Sequence, residues 1–171
     1  MPELAVAPDP LNTEPAAFDA LYRDHADDVF AYAMTLLRER SAAEDVTMLA
    51  FERAYRKRKA FDRRRGNERA WLFTIARNAA LDELRRRKRA APLIGDPADL
   101  SISTDDDPVR RASVRAALAQ LDPRERELVA LKFIAGLSNA EIADVIGTSA
   151  TNAGTRLHRV VIKLREACHA P

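Results

Sequence analysis

Eighteen residues in the middle of the chain, Ala90 to Asp107, limit what the rest can build. They hold five aspartates and no basic residue, with prolines at Pro92 and Pro97, and their apolar residues follow no helical period. Such a segment reads as a flexible acidic linker. It divides the chain into one module over residues 16–89 and a second over residues 108–171, each with room for only a small core. Residues 1–15 are acidic and proline-containing and read as a disordered lead-in. They lack the basic start and apolar core of a signal peptide. No apolar run approaches the roughly 18 residues of a membrane span, so no stable membrane insertion is expected. The single cysteine, Cys168, excludes an intrachain disulfide and fits a reducing cytoplasm. It is expected to be an inert apolar filler.

Both modules read as helical. Glycine is scarce, at five residues, and alanine, leucine, arginine and glutamate are common. In the first module, Phe18, Leu21, Tyr22, Val29, Tyr32, Ala33 and Leu36 recur at helical spacing and predict a helix over 18–37. Ser41 and Glu44 have the spacing of a capping box and predict a second helix over 42–59. Its apolar residues cover more than one face, so it needs a partner on each. After a break at 61–68 with turn chemistry at Gly66-Asn67, a third helix is expected over 69–89. Leu72, Ile75, Ala76, Ala79 and Leu84 mark its inner face. In the second module a helix over 109–121 precedes Asp122-Pro123, a cap followed by proline at the first helical position. That next helix should end at Gly136. The fold class is therefore all-α: a three-helix and a four-helix domain joined by the acidic linker.

Charge is segregated along the chain. Residues 52–89 carry fifteen basic and five acidic side chains, whereas residues 1–51 carry three basic and ten acidic ones. A block so dense in positive charge is a candidate polyanion site, with a merely solvated helix face as the alternative.

The sharpest local signal is Ser138 to Ser149. Ser138 and Glu141 form a capping box, Ile142, Ala143 and Ile146 face inward, and small Ala143 lets a second helix cross closely. Gly147 permits a left-handed turn, and Ser149 caps the helix that follows. This is helix-turn-helix spacing, whose second helix enters the major groove by its N-terminal end. Thr151, Asn152, Thr155, Arg156 and Arg159 would face outward, where Asn can pair with adenine and Arg with guanine or phosphate. A plain helical hairpin is the alternative. Enzyme readings find little: no P-loop, no GxGxxG, and His25, His158 and His169 without metal-ligand spacing. No cofactor, metal or small-molecule substrate is expected. His158, beside Arg159, suits a phosphate contact or packing.

Both modules together resemble the extracytoplasmic-function (ECF) sigma factors of the sigma-70 family. The matching stretches in the first module are Ala43-Glu44-Asp45-Val46, Phe51, Ala54-Tyr55, Phe61-Asp62, the run from Ala70 to Asn78, Asp82 and Arg85-Arg86. In the second they are Leu121 to Glu127, Gly136-Leu137-Ser138, Glu141-Ile142-Ala143, Gly147 and Arg156-Leu157-His158-Arg159. The resemblance implies an alternative sigma factor that binds core RNA polymerase, melts and reads a −10 element and contacts a −35 element. An anti-sigma factor is implied as a further partner.

By the same resemblance, Glu44, Asp45, Met48, Leu49, Phe51 and Glu52 dock on the polymerase. The −10 residues are Phe61, Arg63, Arg64, Arg65, Asn67, Trp71, Arg77, Asn78, Arg85 and Arg86. The arginines neutralise phosphates, and melted bases are stacked or pocketed. Trp71 and Phe73 are either duplex wedges or core. Ser149, Thr151, Asn152, Thr155, Arg156, His158 and Arg159 form the −35 set. Asp105, Asp106 and Asp107 either mimic nucleic-acid charge inside the polymerase channel or belong to a plain tether.

The chain departs from the family where Met48-Leu49 stands in place of a frequent Gln-Glu, and where Asn152-Ala153 replaces a common Thr-Val. Gly154 inside the recognition helix costs about 1 kcal/mol relative to Ala. These departures predict a weak or atypical −35 reading. They also leave two other functions open: a helix-turn-helix regulator acting without polymerase, and a polymerase- or anti-sigma-binding decoy without promoter activity.

Overall fold

The computed structural model describes residues 15–90 and 107–169; the N-terminal lead-in through residue 14, most of the linker and Asp105-Asp106 lie outside them. Among the described residues there is no strand. The first domain holds α1 (Pro15–Leu37), α2 (Arg40–Lys57) and α3 (Glu68–Arg89), with a 3-10 turn at Arg58–Ala60. The second holds α4 (Pro108–Ala119), α5 (Pro123–Val129), a π-helical turn at Ala130–Ile134, α6 (Asn139–Ile146) and α7 (Ala150–His169).

In the first domain the three helices approach closely because the residues between them are small. Ala33, Ala43, Ala79 and Ala80 are buried together, with Leu37 and Val46 filling the gaps. Aromatic rings close the other end. Phe51 packs edge-on against Tyr22 at 4.8 Å, and Phe73 against Tyr32 at 5.5 Å; edge contacts of this kind suit the ring quadrupole.

The start of α2 differs from the expected Ser41–Glu44 box. Arg38 takes a positive φ of 56°, which breaks the chain early, and the Glu39 carboxylate then accepts from the Ser41 amide at 3.1 Å. Glu39 is therefore the cap, and Glu44 pairs instead with Arg40 at 2.9 Å. Asn67 caps α3 by accepting from the Ala70 amide at 2.7 Å. Asp107 caps α4, accepting from the Val109 amide at 3.0 Å.

In the second domain the expected punctuation is present. Asp122 and Glu125 form a capping box at α5, and Ser138 and Glu141 another at α6. Gly136 and Gly147 adopt φ of 66° and 74°, the left-handed region that other residues enter only with strain. Ile142, Ala143, Leu157 and Val160 hold α6 against α7. Gly154 also has a packing reason. A Cβ there would lie 3.1 Å from the Asn139 amide, so the crossing with α6 leaves little room.

The linker reading implied two modules on a tether. The structure adds that they pack on each other. α1 contacts α5 and the π turn, α3 contacts α6, and one apolar cluster runs from Leu21 and Phe73 through Leu128 and Leu131 to Leu157.

Candidate nucleic-acid interface

The residues expected to read the −10 strand lie on the 61–67 loop and along α3. Phe61 is buried and stacks at a tilt on Trp71, ring centres 4.9 Å apart. Trp71 is half-buried, so it retains a face for a ligand. Phe73 is fully buried against Tyr32, which rules out the wedge reading: two residues beyond half-buried Trp71, it turns to the inner face of the helix beside Leu72 and Ala76. Phe61, Asn67, Trp71 and Thr74 line a cavity of about 260 Å³, and Asp144 and Val145 of α6 close its far side. Gly66 has ordinary backbone and open space beside it, so the turn does not demand a glycine.

The basic residues divide by partner. Arg63, Arg64 and Arg65 are exposed on the loop. Arg63 reaches Glu68 at 3.4 Å. Toward the end of α3, Arg85 pairs with Asp82 at 3.1 Å and Arg86 with Glu83 at 2.8 Å. The Arg86 hydrogen bond holds the Glu83 carboxyl below the usual carboxylate range, although partial burial opposes it. Exposed pairs of this kind are worth little, so phosphate can displace them. Asn78 is exposed one position beyond Arg77.

Arg77 is different. Its Nε lies 2.5 Å from Glu127 Oε1 and its Nη2 3.4 Å from Oε2, with both side chains largely buried. Tyr32 donates to the same Oε1 at 3.0 Å. Burial, followed by the charge of Glu127, pushes the Tyr32 hydroxyl well above its ordinary range, so it remains a donor. Burial alone would lower the Arg77 pKa, but the hydrogen bond and charge of Glu127 raise it.

Two further polar contacts cross between the domains. Asn67 Nδ2 donates to Glu141. Arg69 bonds Asp28 Oδ2 at 2.5 Å and the Ile134 carbonyl at 3.2 Å, and also reaches the Ala135 carbonyl. There the guanidinium fork satisfies carbonyls at a helix C-terminus, where positive charge is favoured. His25 Nδ1 lies 3.1 Å from Arg69 Nη1. Burial, then the Arg69 charge, lowers the His25 pKa.

Sequence reasoning missed Arg69, Tyr32 and Glu127 as partners. One signal was available. Glu127 lies four residues before Leu131 and next to Leu128, an acid on the inward stripe of its helix.

The face expected to dock on polymerase is on α2. Glu44, Asp45, Met48 and Glu52 are exposed, Met48 strongly so at 71%. Leu49 is half-buried against the alanine cluster. Phe51 is 4% exposed and belongs to the core with Tyr22 and Phe18, because it falls on the stripe of Ala43, Ala50 and Ala54. It is not available to a partner.

The −35 set is on α7. Ser149 caps the helix, accepting from the Asn152 amide at 3.1 Å. Thr151, Asn152, Thr155, His158 and Arg159 are exposed, while Arg156 is half-buried on the side of Arg77 and Glu127. The Asn152 Nδ2 donates to Thr148 Oγ1 at 2.7 Å, so part of its base-reading capacity is used within the turn. Among the described residues no group of acids, histidines and cysteine is arranged to hold a metal, and no helix is long and apolar enough to cross a membrane.

Residues 21–90 match the Sigma-70 region 2 family model and residues 111–164 the Sigma-70, region 4 model. The chain is 34% identical over 158 residues to the ECF RNA polymerase sigma factor SigL of Mycobacterium tuberculosis, covering 89% of each chain. It is 36% identical over 155 residues to the RNA polymerase sigma factor CarQ of Myxococcus xanthus, covering 88% of each. Among solved structures, CnrH in complex with the cytosolic domain of CnrY superposes with a TM-score of 0.66 at 27% identity, over 92% of this chain and 90% of that one. The sigma factor RpoE in complex with the anti-sigma factor NepR from Bartonella quintana shares the fold, with a TM-score of 0.74 at 24% identity over 88% of this chain and 95% of that one. With a region 2 match over its first domain and a region 4 match over its helix-turn-helix domain, the chain belongs to the ECF sigma factors of the sigma-70 family: it is a regulatory subunit, not an enzyme, that joins core RNA polymerase, binds promoter DNA and directs transcription initiation.

Proposed function

We propose that the three tasks of this sigma factor are divided among α2, the loop–α3 face and the start of α7. The exposed Met48, set among Glu44, Asp45 and Glu52 on α2, carries the polymerase-docking assignment. An apolar centre with a charged rim is the usual anatomy of a protein interface. Phe51 supports this face from beneath rather than touching the partner.

The cavity between Phe61, Trp71 and Asn67 takes a flipped base of the −10 element, and Arg63, Arg64, Arg65, Arg85 and Arg86 neutralise its phosphates. Thr151, Asn152, Thr155, Arg156, His158 and Arg159 contact the −35 element, with Ser149 fixing the helix start. The internal bond of Asn152 supports a weak −35 reading. Asp107 serves as a helix cap, which supports a tether role for the end of the linker. An anti-sigma factor is a partner by analogy with the sigma factor RpoE, solved in complex with the anti-sigma factor NepR. The protein works in the cytoplasm, where core polymerase resides.

Reconstitution with core RNA polymerase and promoter mapping tests this reading. Met48→Asp should abolish co-purification with core enzyme while leaving the fold intact. Retention by the variant would sink the docking assignment. On a mapped promoter, scrambling the −10 element should cost more transcript than scrambling the −35 element; equal losses would contradict the weak −35 reading. A holoenzyme that makes no transcript from any genomic promoter would refute the initiation role.

A further inference from the structure

Arg85 to Arg89 end α3 as an unbroken basic run, and charge alone gives all five residues the same task. The structure sets one of them apart. Arg87 is half-buried, with 25% of its side chain exposed, while the other four are exposed.

The Arg87 guanidinium turns back to the corner between α1 and α2. Its Nε donates to Glu83 Oε1 at 2.9 Å, one turn earlier on α3. Its Nη1 donates to the Leu37 carbonyl at 3.3 Å, and its Nη2 to Glu39 Oε2. Leu37 is the last residue of α1, where carbonyls lack a partner within the helix and positive charge is favoured. Glu39 works on both sides: its Oε1 accepts from the Ser41 amide and so caps α2, while its Oε2 takes Arg87. Between Leu37 and Glu39, Arg38 has a φ of 56°, a backbone that residues other than glycine hold only when their surroundings impose it. One guanidinium thus joins the end of α1, the cap of α2 and the last turns of α3. Further along, Arg53 of α2 reaches Asp82 of α3 at 3.1 Å, so loss of Arg87 would loosen the start of α2 and not its whole length.

We propose that Arg87 is a positioning residue for polymerase docking: by clamping Glu39 it fixes the start of the helix that presents Glu44, Asp45 and Met48, and it is not a phosphate contact of the basic run. The inference rests on the assignment of α2 to docking.

The two roles respond differently to lysine. An ammonium keeps the charge that a phosphate contact needs, but it cannot reproduce the planar fork that spans three acceptors. The test uses the full chain, core RNA polymerase and a single-stranded DNA carrying the mapped −10 element. Arg87→Ala and Arg87→Lys should both weaken binding to core enzyme by about fivefold, the size of effect that follows loss of a helix cap. Hydrogen exchange at the amides of residues 42–46 should quicken in both. With core enzyme in excess, the salt dependence of −10 strand binding should match that of the unsubstituted chain. Arg86→Ala should show the reverse, with core affinity kept and the salt slope reduced by about 0.7, one phosphate contact on a single strand. A cooperative thermal transition identifies the variants that remain folded, and Arg87→Lys decides alone if Arg87→Ala does not fold.

Unchanged core affinity in the folded Arg87 variants would overturn the positioning role, even if their melting temperature fell. A reduced salt slope in Arg87→Ala that Arg87→Lys restores would make Arg87 a phosphate contact instead. Met48→Asp separates the inference from the reading beneath it. If that variant keeps core binding, the docking assignment fails and the role of Arg87 falls with it; if it loses core binding while the Arg87 variants keep theirs, only the role of Arg87 fails.

Discussion

The two DNA faces proposed for this molecule are built in opposite ways. The −35 face belongs to one short motif, Ser138 to Arg159, whose caps, glycine and small residue all lie within the stretch it shapes. Apart from half-buried Arg156, it stands open to solvent. The −10 face is assembled from a loop and a helix of the first domain and is closed by α5 and α6 of the second. A locally specified face is complete as soon as its helix pair forms. A face that shares its polar groups with another domain is set by the contact between the two. The contrast explains why one arginine of each face behaves differently: Arg159 is exposed, whereas Arg77 is held by two oxygens of Glu127.

Four experiments would sharpen or break this contrast. The largest effect is expected at Phe73, the ring beneath the −10 face. Phe73→Ala should destabilise the chain by about 3–5 kcal/mol, the usual cost of emptying a buried aromatic site. Chemical denaturation reads it, and a loss below about 1 kcal/mol would mean that the −10 face does not rest on this core.

Next is a paired comparison in the free chain. Arg159→Ala should weaken duplex DNA binding by about 1–2 kcal/mol and reduce the salt dependence, since one phosphate or base contact is lost. Trp71→Ala should leave that binding unchanged yet abolish promoter opening by the holoenzyme. Permanganate footprinting and anisotropy together decide. Equal losses of duplex binding in the two variants would erase the distinction between an open and a closed face.

Gly154→Ala tests the recognition helix alone. Alanine gains up to about 1 kcal/mol of helix propensity. The new methyl meets the flexible Asn139 side chain at 3.1 Å, so part of that gain is returned. The expected outcome is a small rise in the melting temperature, and a fall would show that the α6–α7 crossing cannot yield.

The smallest effect is a pH dependence at the domain contact. His25 has a lowered pKa in the folded chain, from burial first and Arg69 second, against the opposing charges of Glu68, Asp24 and Asp28. The unfolded chain therefore binds this proton more readily. The contribution to stability is complete above the ordinary value near 6.5 and is lost as pH falls through that value toward the folded one. Melting at pH 7.5 and pH 5.5 should show a loss on acidification that His25→Gln reduces. An unchanged difference in the variant would remove His25 from the account.

Much of this was legible from residue order because it is local. The helix periods, the cap at Asp122, the capping box at Ser138 and the left-handed turn at Gly147 each depend on residues a few positions apart. Local signals also misled where two residues could each begin a helix. Glu39, rather than Ser41, caps α2, because a positive φ at Arg38 resets the chain before the serine. At Phe51 the motif placed the ring on a docking face, but its helical stripe placed it in the core.

The sequence by itself determined the helical class, the caps at Asp122 and Ser138 and the family, because each is encoded in spacing along one stretch of chain. Only the tertiary structure decided that Phe73 is core while Trp71 stays half-exposed, and that Tyr32, Arg77 and Glu127 meet across 50 to 95 positions. Contacts at that separation depend on how two folded surfaces fit, and no periodicity records them.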